Sequence, residues 1–123
     1  MARYDESLPT LTSGQNAEIQ LDVNGRQLVS ASAGTYSYRH ISTATTTVVK
    51  SGAGGLHSVV VNTLGTVAST TTIYDNTTGS GTVIGVINTL TLAGVFVYDV
   101  AFTVGLTVVT TGTVAPDLTV SYQ

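Results

Sequence analysis

Short runs of β-branched and other apolar residues, broken by glycine-rich segments, dominate the chain from about His40 onward. The last run alternates most clearly, with Leu118, Val120 and Tyr122 on one face of a strand and polar residues on the other. The pattern predicts strands over residues 41–49, 56–62, 67–75, 82–88, 95–102, 105–111 and 117–122. Short strands with turns about every 8–12 residues are typical of an all-β fold, here an antiparallel β-sandwich of jelly-roll-like type.

The N-terminal region has a different pattern. Residues 1–17 show no periodicity and predict an extended arm. The pair Asn24-Gly25 lies between alternating residues and predicts a β-hairpin with a two-residue turn. An isolated hairpin is marginal in water, so this one needs a surface to lie on. The predicted organisation is an arm and hairpin over residues 1–36 and a sandwich body over residues 37–123.

Some predicted strands are apolar on both faces, as in the run Val59-Val60-Val61. Such a strand must be covered on both faces. In a two-layer sandwich the other sheet covers one face, and a partner subunit could cover the other. Tyrosine suits interfaces because half of its side chain is apolar and half is polar. An oligomer interface is therefore predicted at Val59, Val61, Tyr74 and Tyr98.

Charge is scarce: charged residues make up 9% of the chain, against about 25% in an ordinary soluble domain. Four basic residues against seven acidic ones, for a net charge of −3, cannot neutralise a run of phosphates. Nucleic acid and anionic membranes are therefore not expected as partners. The absence of cysteine excludes disulfides and thiolate metal sites, and the polar N-terminus does not resemble a signal peptide.

Candidate reactive groups are few. The segment Lys50–Gly55 is glycine-rich, but a phosphate-binding loop needs its lysine after the glycines, so a turn is predicted. His40 and His57 could meet copies of themselves at a three-fold axis, although an ordinary surface role is the simpler expectation. A carboxylate cluster of Asp75, Asp99 and Asp117 would lack the other parts of a catalytic site. We expect no enzyme activity, no metal and no cofactor.

Two groups of segments resemble a known class. The first is Pro9-Thr10-Leu11-Thr12-Ser13-Gly14-Gln15, followed by Leu21-Asp22-Val23-Asn24-Gly25-Arg26-Gln27-Leu28-Val29. The second covers residues 47–62, 73–77 and 105–112. Together they resemble small virion structural proteins of tailed bacteriophages. The resemblance implies a capsid decoration (cement), head-fibre or tail-associated protein that is commonly trimeric.

The resulting hypothesis is a capsid decoration protein, assembled in the host cytoplasm, that stabilises the head by binding capsid subunits. Its partners would be the major capsid protein or other virion proteins. Alternatives are a fibre or tail-associated component, or a glycan-binding receptor module with an exposed tyrosine cluster. The capsid attachment residues predicted on the arm and hairpin are Leu8, Pro9, Leu11, Ile19, Leu21, Leu28 and Val29.

Overall fold

The computed structural model describes Asn24 and residues 35–123. The chain divides into two units, Met1–Ala33 and Gly34–Gln123, and the second contains eight β-strands. These are β1 (Ser37–Ile41), β2 (Thr46–Ser51), β3 (Gly54–Thr63), β4 (Thr71–Asp75), β5 (Thr82–Ile87), β6 (Gly94–Phe102), β7 (Gly105–Thr110) and β8 (Asp117–Tyr122).

The strands form two four-stranded antiparallel sheets that pack as a sandwich. Sheet one has the order β1-β8-β3-β6, and sheet two has the order β2-β7-β4-β5. The first strand pairs with the last, the second with the seventh, the third with the sixth and the fourth with the fifth. A long hairpin rolled up in this way is a jelly roll, so the predicted fold class is confirmed for the sandwich. Of the predicted arm and hairpin, the described residues include only Asn24, which is exposed in a turn, and residues 35–36.

The inward side chains of both sheets share one apolar core. On β8, Leu118 and Val120 are fully buried and Tyr122 packs against them, as the alternation predicts. Burial of this surface, at about 25 cal/mol per Å², is the main force that holds the sheets together. The core consists of Ile41, Leu56, Val59, Val61, Ile73, Ile87, Phe102, Leu106, Val108, Leu118 and Val120.

The strand predicted over residues 41–49 is wrong, because two strands in different sheets meet there. β1 ends at Ile41 in sheet one and β2 begins at Thr46 in sheet two. The crossing segment contains no glycine or proline and resembles a strand in composition. It is held instead by Thr110, whose hydroxyl donates a hydrogen bond to the carbonyl of Thr43 (2.6 Å) and accepts one from the amide of Thr45 (3.1 Å).

The prediction of an oligomer interface is wrong for Val59 and Val61. β3 lies between β8 and β6, and sheet two covers its inward side chains, so these two valines are 0% and 2% exposed. Tyr98 packs against the same core from β6, with its hydroxyl close to the backbone of Gly85. Tyr74 is half-buried on β4. A role for the two tyrosines in subunit contacts stays a prediction.

Candidate functional site

The loops at one end of the sandwich contain no charged residue. In a jelly roll the connections β1–β2, β3–β4, β5–β6 and β7–β8 gather at the same end. Here they are residues 42–45, 64–70, 88–93 and 111–116, which we call the loop end. None of these residues is Asp, Glu, Lys or Arg. The five formally charged side chains of the described body lie on strands, at Arg39, Lys50, Asp75, Asp99 and Asp117. Two of them adjoin the loop end: Asp117 directly follows the β7–β8 loop, and Arg39 lines a pocket with Ser42 and Thr43 of the β1–β2 loop.

Hydrogen bonds to main-chain carbonyls connect the loops of the loop end. The amide of Thr66 donates to the carbonyl of Val114 at 3.0 Å, and the two residues form an isolated β-bridge. The amide of Gly65 donates to the carbonyl of Thr89 at 3.0 Å. The hydroxyl of Thr111 donates to the carbonyl of Ala68 at 2.9 Å. The loops therefore present a surface with a defined shape.

Buried hydroxyl groups support the loop end from beneath. The hydroxyls of Ser69 and Thr89 lie 2.8 Å apart, and both residues are almost fully buried. Gly65 packs directly against Ser69, where a Cβ atom would lie 2.2 Å from the serine hydroxyl. Hydroxyls that bond to each other satisfy the polar atoms without any charge. The surface above them can therefore remain neutral.

Apolar side chains project from this neutral end into solvent. Val67 is 68% exposed and Val114 is 56% exposed, and Leu64, Leu90 and Leu92 are also exposed. Val67 and Ala68 have positive φ angles of 35° and 56°. A β-branched residue in this region is a genuine outlier, and such strain costs on the order of 1–3 kcal/mol. An exposed valine held in a strained conformation points to a functional contact at this position.

The opposite end contains a carboxylate with a structural role. Asp75 ends β4 and accepts hydrogen bonds from the amides of Thr103 (2.9 and 3.0 Å), Val104 (2.8 Å) and Gly105 (3.3 Å). The Thr103 hydroxyl also donates to it, at 3.1 Å. These bonds, led by those from Val104 and Thr103, hold the pKa of Asp75 below its ordinary value of 3.8. Asp75 therefore stabilises the β6–β7 turn, which connects the two sheets.

Replacing Asp75 with asparagine should lower the melting temperature at pH 7 by on the order of 5 °C. Because the pKa is lowered in the fold, the carboxylate stabilises it above pH 3.8 and this contribution is lost as the pH falls through the lower folded value. Melting curves of both proteins should therefore converge on acidification. Thr103→Val keeps every backbone donor and should retain most of the pH dependence. A constant gap between wild type and Asp75→Asn down to pH 2 would contradict this role.

Two histidine–carboxylate pairs lie on sheet one. In the first pair, His40 Nε2 lies 2.9 and 3.0 Å from the two carboxylate oxygens of Asp117. The amide of Asn62 donates to the same carboxylate (2.8 Å) and to the Thr119 hydroxyl (3.1 Å). The hydrogen bonds from Asn62 and His40 hold the pKa of Asp117 below its ordinary value. The pair links β1, β3 and β8 across the sheet.

The second pair borders a groove. His57 Nδ1 lies 2.5 Å from Asp99 Oδ1, and the ring of Tyr36 stacks on the histidine at 4.3 Å with an angle of 15°. The groove beside them has a volume of about 600 Å³, and Gly55 and Gln123 also line it. We call it the Tyr36 groove.

The structure places the remaining predicted residues as follows. The glycine-rich segment contains the β2–β3 turn at Gly52 and Ala53, with Gly52 at a φ of 87° and the Lys50 amine donating to the Ala53 carbonyl. The other residues of the predicted turn belong to the ends of β2 and β3. Asp75, Asp99 and Asp117 have separate partners and form no cluster. The described residues contain no group of three or more potential metal ligands from histidine, cysteine and carboxylate side chains. The seven predicted capsid attachment residues lie outside the described part of the chain.

Sequence reasoning missed both the loop end and the Tyr36 groove. Tyr36 is the last residue of the region predicted as arm and hairpin, and Asp99 falls inside a predicted strand. A usable sign of the loop end was the presence of Leu64, Val67, Leu90 and Leu92 in or beside predicted turns that contain no charge. Turn residues are usually polar, so apolar ones that recur in several loops indicate a shared surface.

No described residue belongs to a helix long and apolar enough to cross a bilayer. The chain matches no protein-family model, no curated protein and no solved structure.

Proposed function

We propose that this chain is a structural protein of a tailed-bacteriophage virion, a capsid decoration protein whose copies associate as a trimer. The main support is the loop end, a neutral surface of exposed apolar side chains that includes the strained Val67. The sequence resemblance described above supports the same class. Jelly-roll sandwiches also recur in viral capsids, which agrees with the proposal but is an argument from fold alone.

The neutrality of the loop end favours contact with further copies of the same chain. A closed symmetric assembly brings equivalent residues of the subunits close together around the axis. A charged residue near that axis would face its own copies, and like charges in a buried contact cost several kcal/mol. The loops of the loop end contain no charged residue that would face its own copy, and the adjoining charges of Arg39 and Asp117 lie on β1 and β8. The outer face of sheet one, by contrast, carries the histidine–carboxylate pair of His40 and Asp117.

The mechanism we propose is mechanical. Burial of apolar surface contributes about 25 cal/mol per Å² before the costs of association are subtracted. A small net contribution per copy, repeated over a shell and linked within each trimer, would clamp the capsid subunits together. In this proposal the loop ends hold the trimer together, and the N-terminal region binds the capsid.

Deleting residues 1–30 should leave a folded sandwich that no longer attaches to capsids. The described strands begin at Ser37 and include both sheets and the core, so the deletion removes none of them. Co-sedimentation with heads that lack the protein measures attachment, and circular dichroism checks the fold. A truncated protein that still decorates heads would contradict the assignment of attachment to Leu8, Leu11, Leu21 and the other arm and hairpin residues.

The decisive experiment is a cryo-EM reconstruction of the particle that contains this chain. A decoration protein should be present in hundreds of copies, as trimers on the outer shell with their loop ends in contact. A handful of copies at the neck or tail would replace this proposal with the tail-associated alternative. Absence of the chain from purified particles would overturn the virion proposal altogether.

A further inference from the structure

We propose that the Tyr36 groove is a binding site for neutral sugars, formed by Tyr36, His57 and Asp99. The inference does not depend on a role in the virion. The groove volume of about 600 Å³ falls in the range of about 300–1,000 Å³ typical of small-molecule sites. The exposed residues Val100 and Ala101 supply apolar surface, and polar groups converge at one side, as in such sites.

A β-bulge positions the carboxylate. Leu56 pairs with Val100 and Ser58 pairs with Val97, so Tyr98 and Asp99 both lie opposite His57. Asp99 has a φ of 48°, in the left-handed region, which aspartate tolerates better than most residues. Bulges are common beside binding sites because they redirect a side chain. Here the bulge brings Asp99 to the imidazole of His57 at the groove.

An aromatic platform lies next to this carboxylate. One face of the Tyr36 ring stacks on His57, and Tyr36 is still 45% exposed, so its other face is open. Tyr38, two residues further along the chain, is 73% exposed. Exposed tyrosines with polar neighbours are the arrangement that a glycan-binding protein requires.

The chemistry of a sugar ring matches these groups. A pyranose has an apolar C–H face, which can pack on an aromatic ring, and a rim of hydroxyl donors, which a carboxylate can accept. Asp99 uses Oδ1 for His57, and in the described part of the chain its Oδ2 has no hydrogen-bond partner. The pairing with His57 also fixes the orientation of the imidazole, which supports the tyrosine from below.

The charge of the groove selects among sugars. No lysine or arginine lines it, and Asp99 is the one acidic side chain among its lining residues. A sialic acid or a phosphorylated sugar would bring a negative charge against this carboxylate, and the nearby Lys50 amine is already bonded to the Ala53 carbonyl. The groove therefore favours neutral hexoses or hexosamine derivatives over anionic sugars.

The test is binding of the full-length labelled chain to a printed array of neutral and sialylated glycans, followed by titration with the best neutral glycan. Tyr36→Ala and Asp99→Asn should each weaken binding by about tenfold or more. Asparagine is also tolerated at positive φ, so Asp99→Asn should keep the bulge. Asp117→Asn, which alters the other histidine–carboxylate pair of sheet one, is the matched control and should bind like wild type.

Three results would overturn the proposal. One is a folded wild-type chain that binds no glycan on the array. Another is binding restricted to sialylated glycans. The third is binding of neutral glycans that neither Tyr36→Ala nor Asp99→Asn weakens. None of these results bears on trimer formation or attachment to capsids, so the virion proposal is tested separately.

Discussion

Replacing Val67 with aspartate should leave the sandwich folded and convert the proposed trimer into monomers. Aspartate tolerates a positive φ better than a β-branched residue does, so the strained position at 35° accepts it without loss of stability. In the proposed trimer, however, the new charge would lie in an apolar contact near its own copies. A buried, unpaired charge costs on the order of 3–5 kcal/mol, which corresponds to a loss of association of more than about 100-fold.

Size-exclusion chromatography with light scattering measures this effect directly. Wild type should have a mass near three times 12.6 kDa, and Val67→Asp should have the mass of a single chain. Val97→Asp is the matched control: Val97 is 64% exposed, close to the 68% of Val67, but it lies on β6 outside the loop end. It should remain trimeric. A monomeric wild type, or equal dissociation by both variants, would refute the loop end as the subunit contact.

Val67→Gly distinguishes the effect of backbone strain on the stability of the fold from the effect of the valine side chain on association. Glycine adopts positive φ freely, so this change should stabilise the isolated fold by about 1 kcal/mol or leave it unchanged. It also removes the exposed side chain and should weaken the trimer. Higher thermal stability together with weaker association would show that the strained valine is kept for a contact.

Replacing Phe102 with alanine should have the largest effect on folding. Phe102 ends β6, is 1% exposed and is among the largest fully buried side chains of the described residues. Truncating a buried phenylalanine costs about 3–5 kcal/mol, through lost transfer energy and the cavity that remains. Since small domains are stable by only about 5–15 kcal/mol, this single change should remove a large part of the total.

Urea denaturation measures this loss as a shift of the midpoint. Val97→Ala, on the same strand but exposed, should change the free energy of unfolding by less than about 0.5 kcal/mol. The two variants therefore compare a core side chain with a surface side chain of β6. If Phe102→Ala lowers the free energy of unfolding by less than about 1 kcal/mol, Phe102 does not belong to the core of the sandwich.

Local patterns were enough to predict the fold class and several strands. The alternation of Leu118, Val120 and Tyr122 requires no knowledge of partner strands, because side chains of a strand point to opposite faces in turn. The glycines after Lys50 similarly specify a turn through their own backbone freedom, with Gly52 at a φ of 87°. Both features depend on neighbouring residues, so the sequence displays them directly.

Features that depend on distant residues could not be predicted. The crossing between β1 and β2 is set by Thr110, far away in the chain, which bonds to Thr43 and Thr45. Valines on both faces of β3 suggested a partner subunit, whereas the second sheet of the same chain covers Val59 and Val61. The Tyr36 groove likewise combines residues from four separate segments, which are distant in the sequence and meet only in the folded sheet.

The pairing of the first strand with the last has a consequence for synthesis. β1 bonds to β8, so Ser37 lies opposite Tyr122, and β8 also provides the link between β1 and β3. Sheet one cannot close until β8 has been synthesised and has left the ribosome. Domains dominated by such non-local pairing fold in about milliseconds to seconds, slower than helical ones. The nascent chain therefore exposes the unpaired edges of β1 and β3 until β8 is available to pair with them.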